Sequence, residues 1–304
     1  MKAFGYDHNG GPEVIEEYDV PTPELKDKDI LIETQAVGLN NFERASRAGD
    51  FRTTTHRVIP GRDVAGIVKQ VGSDVTKFAP SDRVVAHGHH SYSEFATSDE
   101  TNTVKLPDDI SFVQAAGIVT PGVTAYNAVN LFGQVEPGQT VIVKGASGGV
   151  GSLAAQIAAD LGANVIGIGS SKHEADVKAL GVSRYVAYDK EDPATVLAGQ
   201  GDVVINSAMN GASSDDDVAM VKDGGIISSV AHDEPETSKN IQFNHIAPTS
   251  EVSDTDALSK IIELMTNKGA SIKIGYEYPF SLDGFRQGHQ TLEEKHSGRV
   301  IIKK

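Results

Sequence analysis

One stretch of this chain constrains its fold more than any other: TVIVKGASGGVGSLAAQIAADLGANVIGIGSSK, residues 140–172. Val141, Ile142 and Val143 form a short apolar run that Gly145 ends, the pattern of a parallel strand covered on both faces. Val150, Leu153, Ala154, Ile157, Ala158 and Leu161 then recur at three- and four-residue steps, one apolar helical face. Gly162 stands where a left-handed cap is wanted, and Val165, Ile166 and Ile168 open a second buried strand. Such a unit aims the free N–H groups of a helix N-terminus at an anion. Gly145, Gly148 and Gly151 are spaced by three, and Ala146, Ser147, Gly149 and Val150 fill the turn between them. Glycine here permits the tight turn and the approach of a pyrophosphate to bare backbone. Set between a strand and an amphipathic helix, the cluster predicts a dinucleotide site.

The second strand narrows the cofactor. An NAD site usually carries Asp or Glu there, about 20 residues beyond the glycines, to hold the ribose 2′-hydroxyl. Here Gly169, Ser170, Ser171, Lys172 and His173 come before the first acid, Glu174. Hydroxyls that donate and an ammonium that supplies charge suit a 2′-phosphate, so these residues predict NADPH. The plainer alternative makes the two serines a helix cap and Lys172 a solvated residue.

A chain of 304 residues is long enough for two domains, each with its own core. Its 27 Lys and Arg against 42 Asp and Glu leave a net charge of −15, which repels nucleic acid and anionic membranes. No apolar run approaches a membrane span, and the start reads as polar, foldable sequence rather than a signal peptide. With no cysteine, disulfides, thiolate catalysis and cysteine-held zinc are excluded. The expectation is a cytoplasmic protein with no membrane or nucleic-acid partner.

Residues 1–118 read as β-rich, with strands at 30–37, 64–71 and 83–86. Strand and helix alternate from about residue 119. After the two strands above come 184–188, 202–206, 225–230 and 240–245, six in all, as in a doubly wound parallel sheet. Residues 254–268 predict an amphipathic helix and 299–302 a closing strand that returns to the first domain. The expected boundaries are 1–118, 119–246 and 247–304.

Several segments, in order, carry a family likeness: MKAFGYDHNGGPEVIEEYDVPTPEL, AVGLNNFERASRAGDF, IPGRDVAGIVKQVGSDVTKFAPSDRV, PGVTAYNAV, VKGASGGVGSLAAQIAADLGANVIG and SGRVIIKK. With them the chain resembles the zinc-free, zeta-crystallin-like quinone oxidoreductases of the medium-chain dehydrogenase/reductase superfamily. The resemblance implies an α/β fold in which a GroES-like, β-rich catalytic domain accompanies a Rossmann NADP-binding domain. It implies hydride transfer from NADPH to a quinone or an α,β-unsaturated carbonyl, in a homodimer paired through residues 240–245. It also implies site residues. Asn40 matches an asparagine near the nicotinamide, Glu43 holds the place of a family aspartate, and Phe51 that of a tyrosine. Thr124 matches a threonine at the carboxamide and Tyr188 a tyrosine at the 2′-phosphate. Asn206 ends the fourth strand, and Val230, Ala231 and His232 end the fifth. Phe51 has no hydroxyl to donate a proton. Gly61-Arg62-Asp63 replaces the Gly-His-Glu of the zinc enzymes, so no catalytic metal is expected, and His87, His89 and His90 read as a polar loop. The alternatives are a 2-alkenal or enoyl-thioester reductase, and a non-catalytic NADPH-binding regulatory module.

Overall fold

The computed structural model describes residues 1–208, 212, 214–231, 234–249 and 251–304. The chain divides into two units, Met1–Thr120 with Ser253–Lys304, and Pro121–Val252.

The first unit is built on strands, as its β-branched runs predict. In chain order it holds β1 (Lys2–Gly5), β2 (Glu16–Asp19), β3 (Asp29–Leu39), α1 (Asn41–Ala48), β4 (Asp63–Val71) and β5 (Arg83–His87). β6 (Phe95–Asp99), β7 (Thr103–Lys105) and α2 (Phe112–Asn127) follow, and α2 runs on into the second unit.

The second unit alternates strand and helix. β8 (Thr140–Lys144), α3 (Gly149–Asp160), β9 (Asn164–Gly169), α4 (Glu174–Lys178) and β10 (Arg184–Ala187) come first. Then come α5 (Pro193–Val196), β11 (Gly201–Asn206), α6 (Ser214–Met220), β12 (Val221–Ser229) and β13 (Gln242–His245). The first unit resumes with α7 (Asp254–Lys268), β14 (Ile274–Pro279), α8 (Leu282–Glu293) and β15 (Arg299–Lys303).

Among the described residues, the second unit's sheet has the order β10-β9-β8-β11-β12-β13, with every pair parallel. The order reverses between β8 and β11, where an open α/β sheet leaves a crevice at its strand ends. Ile142, Ile166, Val186, Val204 and Ile227 stack across that sheet into one core with Leu197 and Met220.

The first unit's sheet runs β14-β15-β3-β4-β5-β7, with β6 also on β3. Side chains alternate along β3, so Ile30 and Ile32 join one core with Val64, Val68 and Val84. Val37 and Leu39 join another with Val300, Ile302, Phe285 and Tyr92. β15 pairs antiparallel with β3, Val300 opposite Leu39. That pairing brings Arg299, at the start of β15, beside Asn40, and it positions the site.

Candidate functional site

The glycine turn follows directly from β8. Gly145 has φ +73°, a left-handed value that favours glycine. A Cβ on Gly151 would lie 2.3 Å from the Gly145 carbonyl oxygen and 2.7 Å from Ser207 Oγ, so only glycine lets α3 sit this close to β8. Gly148 caps the helix, and a Cβ there would come within 3.2 Å of the same carbonyl. Ala146 is buried, its N–H donated to the Ile168 carbonyl at 3.1 Å. Ser147 and Val150 are half-buried, and Gly149 opens α3. A cradle free of side chains, facing the unbonded N–H groups of α3, fits a pyrophosphate.

At the neighbouring strand end Asn206 is fully buried. Its Nδ2 donates to Asp217 Oδ2 at 2.6 Å and to the Ala212 carbonyl at 3.3 Å, and its Oδ1 accepts from the Ala208 N–H at 3.1 Å. Lys144, the last residue of β8, donates to Asp217 Oδ1 at 2.6 Å and to the Ala212 carbonyl at 3.0 Å. Burial pushes the Asp217 carboxyl up to about 6, against the opposing pull of Lys144. Asn206 therefore braces the crevice from within, through partners, Asp217 above all, that the sequence pattern did not expose. The Val230 N–H donates to the Asn206 carbonyl at 3.0 Å, and the Ala231 carbonyl accepts from His245 Nδ1–H at 2.7 Å. His232 lies outside the described residues.

The end of β9 departs from the sequence reading in one respect. Ser171 spends both donors on Asp189, N–H to Oδ1 and O–H to Oδ2, each at 2.7 Å. These bonds hold the Asp189 carboxyl below its ordinary range. The acid missing after β9 thus arrives from the end of β10, beyond the reach of a local motif. Tyr188 is 56% exposed and its N–H donates to the Gly169 carbonyl, while the Ser170 carbonyl accepts from Tyr185 Oη at 2.8 Å. Lys172 is exposed on the same turn. Ser170, Ser171 and Tyr188 are brought together there. Thr124 lies half-buried on α2, in the second unit.

In the first unit, Asn40 follows β3 and caps α1, buried. Its Oδ1 accepts from Arg299 Nη2 at 2.8 Å, and its Nδ2 donates to Thr120 Oγ1 at 3.3 Å. Thr120 in turn donates its hydroxyl to Asp63 Oδ1 at 2.5 Å and its N–H to Oδ2 at 3.2 Å. Arg299 pairs with Asp63 Oδ2 at 3.2 Å and donates Nε to the Gly117 carbonyl at 3.0 Å. That carbonyl would ordinarily bond the N–H four residues on, but the residue there is Pro121, which has none. A helix defect is thus met by a guanidinium. The amide orientation of Asn40 is fixed from both ends, with one Nδ2 hydrogen left over.

Glu43 accepts the Asn40 N–H at 3.2 Å through Oε2, closing the first turn of α1. Its Oε1 is buried without a hydrogen-bond partner among the described residues. Burial, then the nearby Asp63, pushes the Glu43 carboxyl up to about 7. Phe51 is exposed and stacks on Phe42. Among the described residues no group of three or more His, Cys, Asp or Glu stands ready to hold a metal ion. His87 instead pairs with Asp254 at 2.5 Å, and His90 Nδ1–H donates to the Ile59 carbonyl at 2.8 Å.

Among the described residues no helix is long and apolar enough to cross a membrane. The alcohol dehydrogenase GroES-like domain family matches residues 26–135, and the zinc-binding dehydrogenase family matches residues 149–255. A quinone oxidoreductase of Pongo abelii is 39% identical over 171 residues, 55% of this chain and 52% of that protein. The chain therefore spans about half the length of such mammalian relatives. A 2-methylene-furan-3-one reductase of Solanum lycopersicum is 30% identical over 318 residues, covering 99% of this chain and 79% of that one. A mycobacterial quinone oxidoreductase superposes with a TM-score of 0.85 over all of both chains, at 26% identity.

Proposed function

Because the chain belongs to the quinone-oxidoreductase-like family of medium-chain dehydrogenase/reductases, we propose that it is an NADPH-dependent, zinc-independent reductase of quinones or α,β-unsaturated carbonyls. The observation that carries this reading is the glycine cradle at the crevice of the parallel sheet, which no residue with a Cβ fits at position 151.

NADPH, when bound, supplies the hydride; the protein supplies position and electrostatics. Gly145, Gly148 and Gly151 hold the pyrophosphate against the α3 N–H groups. Ser170, Lys172 and Tyr188 take the adenosine 2′-phosphate, and Thr124, Val230 and Ala231 flank the nicotinamide. Asn40 Nδ2 donates its remaining hydrogen to the acceptor oxygen as negative charge develops there. An acceptor that spreads that charge over a conjugated system suits a site whose metal-binding positions carry Arg62 and Asp63. The proton that completes reduction comes from solvent, since Phe51 has none to give. A homodimer through β13, the edge strand of its sheet, belongs to the same reading; light scattering at the mass of one chain would remove it.

The test is NADPH oxidation against 1,4-benzoquinone, 9,10-phenanthrenequinone, crotonaldehyde and crotonyl-CoA. Turnover with one class fixes the reaction, whereas binding without oxidation favours a regulatory module. Asn40→Ala should lower kcat by about 100-fold or more, as loss of one oxyanion donor does, with little change in the Kd for NADPH. Unchanged turnover would remove Asn40 from the chemistry.

A further inference from the structure

Three exposed side chains next to the Asn40 cluster form a single stack. Phe42 and Phe51 are 44% and 63% exposed, with ring centroids 5.4 Å apart and planes 28° apart. The Arg62 guanidinium lies 4.1 Å over the Phe42 ring. Phe42 stands two residues beyond Asn40 in the first turn of α1. Arg62 immediately precedes Asp63, the carboxylate that anchors Thr120 and Arg299. Two of the chain segments that build the amide cluster therefore carry Phe42 and Arg62 beside it.

Two features of this stack point to a ligand. Two contiguous exposed aromatic rings are the kind of apolar surface that marks a binding site. And the Arg62 side chain, in a chain with 42 acids to 27 basic residues, makes no ion pair or hydrogen bond with any described residue. A guanidinium over a ring face still has N–H donors to offer, a fork that matches a planar or tetrahedral oxyanion. The Arg62 guanidinium thus sets a positive charge beside an exposed aromatic pair on a molecule whose net charge is −15.

We propose that Phe42, Phe51 and Arg62 form a specificity site for a planar conjugated acceptor that carries an anionic group, the exposed aromatic pair contacting the acceptor and Arg62 holding the anion. The proposal rests on the reductase reading above and names the acceptor class for that same site.

The experiment compares kcat/KM for 1,2-naphthoquinone-4-sulfonate with that for 1,2-naphthoquinone, NADPH saturating. The wild-type protein should favour the sulfonate by about tenfold, the yield of a charge-assisted hydrogen-bonded pair, and the gain should lie in KM. Arg62→Gln should bring the ratio to within twofold of one. Arg62→Lys should leave it in between, and Phe51→Ala should raise KM for both quinones. Arg62 is exposed, so these variants disturb no buried contact. A wild-type ratio near one, or a ratio that Arg62→Gln leaves unchanged, overturns the proposal.

Calorimetry with 2-naphthoate, 2-naphthalenesulfonate and 1-naphthyl phosphate separates this site from the reductase reading and ranks the anion. If neither quinone is reduced, the reductase reading fails by itself. The specificity site then stands if at least one of these anions binds fivefold or more weakly to Arg62→Gln, and falls if all bind both proteins equally.

Discussion

At the scale of single residues, the site turns on how Asn40 is held. An amide free to flip presents oxygen as readily as N–H, and only one of these stabilises an oxyanion. Arg299 settles the choice by donating to Oδ1 at 2.8 Å, and Thr120 accepts from Nδ2. Arg299→Met would leave Asp63 buried beside an empty space, and the protein should lose about 3–5 kcal/mol of stability in denaturant titrations. Arg299→Lys keeps the charge but has no planar fork to reach Asp63, Asn40 and the Gly117 carbonyl together. Its kcat should fall roughly 10- to 50-fold with KM nearly unchanged, a loss of the order seen when an oxyanion donor is displaced. In an Asn40→Ala background the same lysine should change kcat less than threefold, because the two residues act as one unit. Equal losses in both backgrounds would make Arg299 a structural residue and nothing more. This arrangement was not legible in the sequence, where 259 positions separate Arg299 from Asn40.

At the scale of elements, legibility follows the range of the signal. The β8–α3–β9 unit was readable because its apolar periods and its glycines lie within one short stretch. The helix expected at 254–268 is α7, with Ser253 as its cap. α2 gave no such signal, since FVQAAGIVTPGVTAYN is apolar on nearly every side and contains Pro121. The last parallel strand is shorter than expected, Gln242–His245 against 240–245, and the fifth begins earlier, at Val221. The turn between β9 and α4 shows what a local motif leaves out. Its serines and lysine were plain, but Asp189, which takes both Ser171 donors, comes from the next strand's end. A carboxylate there competes with a 2′-phosphate and tolerates a 2′-hydroxyl. Asp189→Asn should therefore tighten NADPH binding by about three- to tenfold, as expected of a like charge removed at an exposed site, and leave NADH within twofold. Lys172→Glu should do the reverse and weaken NADPH selectively. Fluorescence titration with both cofactors decides it, and parallel shifts for NADPH and NADH would take both residues out of cofactor discrimination.

At the scale of the whole molecule, two buried groups give the first unit opposing responses to pH. Glu43 is pushed from an ordinary 4.5 up to about 7, chiefly by burial and then by Asp63. Between those values the folded chain keeps a proton that the unfolded chain has released, so stability falls as pH rises. His289 is pushed the other way, from 6.5 down to about 3, by burial and then by the buried Arg47, which donates Nε to its Nδ1 at 3.2 Å. Below 6.5 the unfolded chain takes a proton that the folded chain refuses, so stability falls as pH drops. From pH 4.5 to 6.5 the two slopes oppose each other at about 1.4 kcal/mol per pH unit each and largely cancel. Glu43→Gln retains an acceptor for the Asn40 N–H while removing one of the two titrations. The variant should then lose about 2–3 kcal/mol between pH 6.5 and 4.5, where the wild type changes little. Because the chain has two units, a single unfolding midpoint would blend them. Amide exchange at Val37 and Ile302, core residues of the first unit, isolates the response. A wild-type profile that falls as steeply as that of Glu43→Gln would mean that Glu43 is ionised in the folded protein near neutral pH. The buried carboxyl beside Asn40 would then carry a negative charge facing any developing oxyanion, and Arg62 and Arg299 would have to offset it.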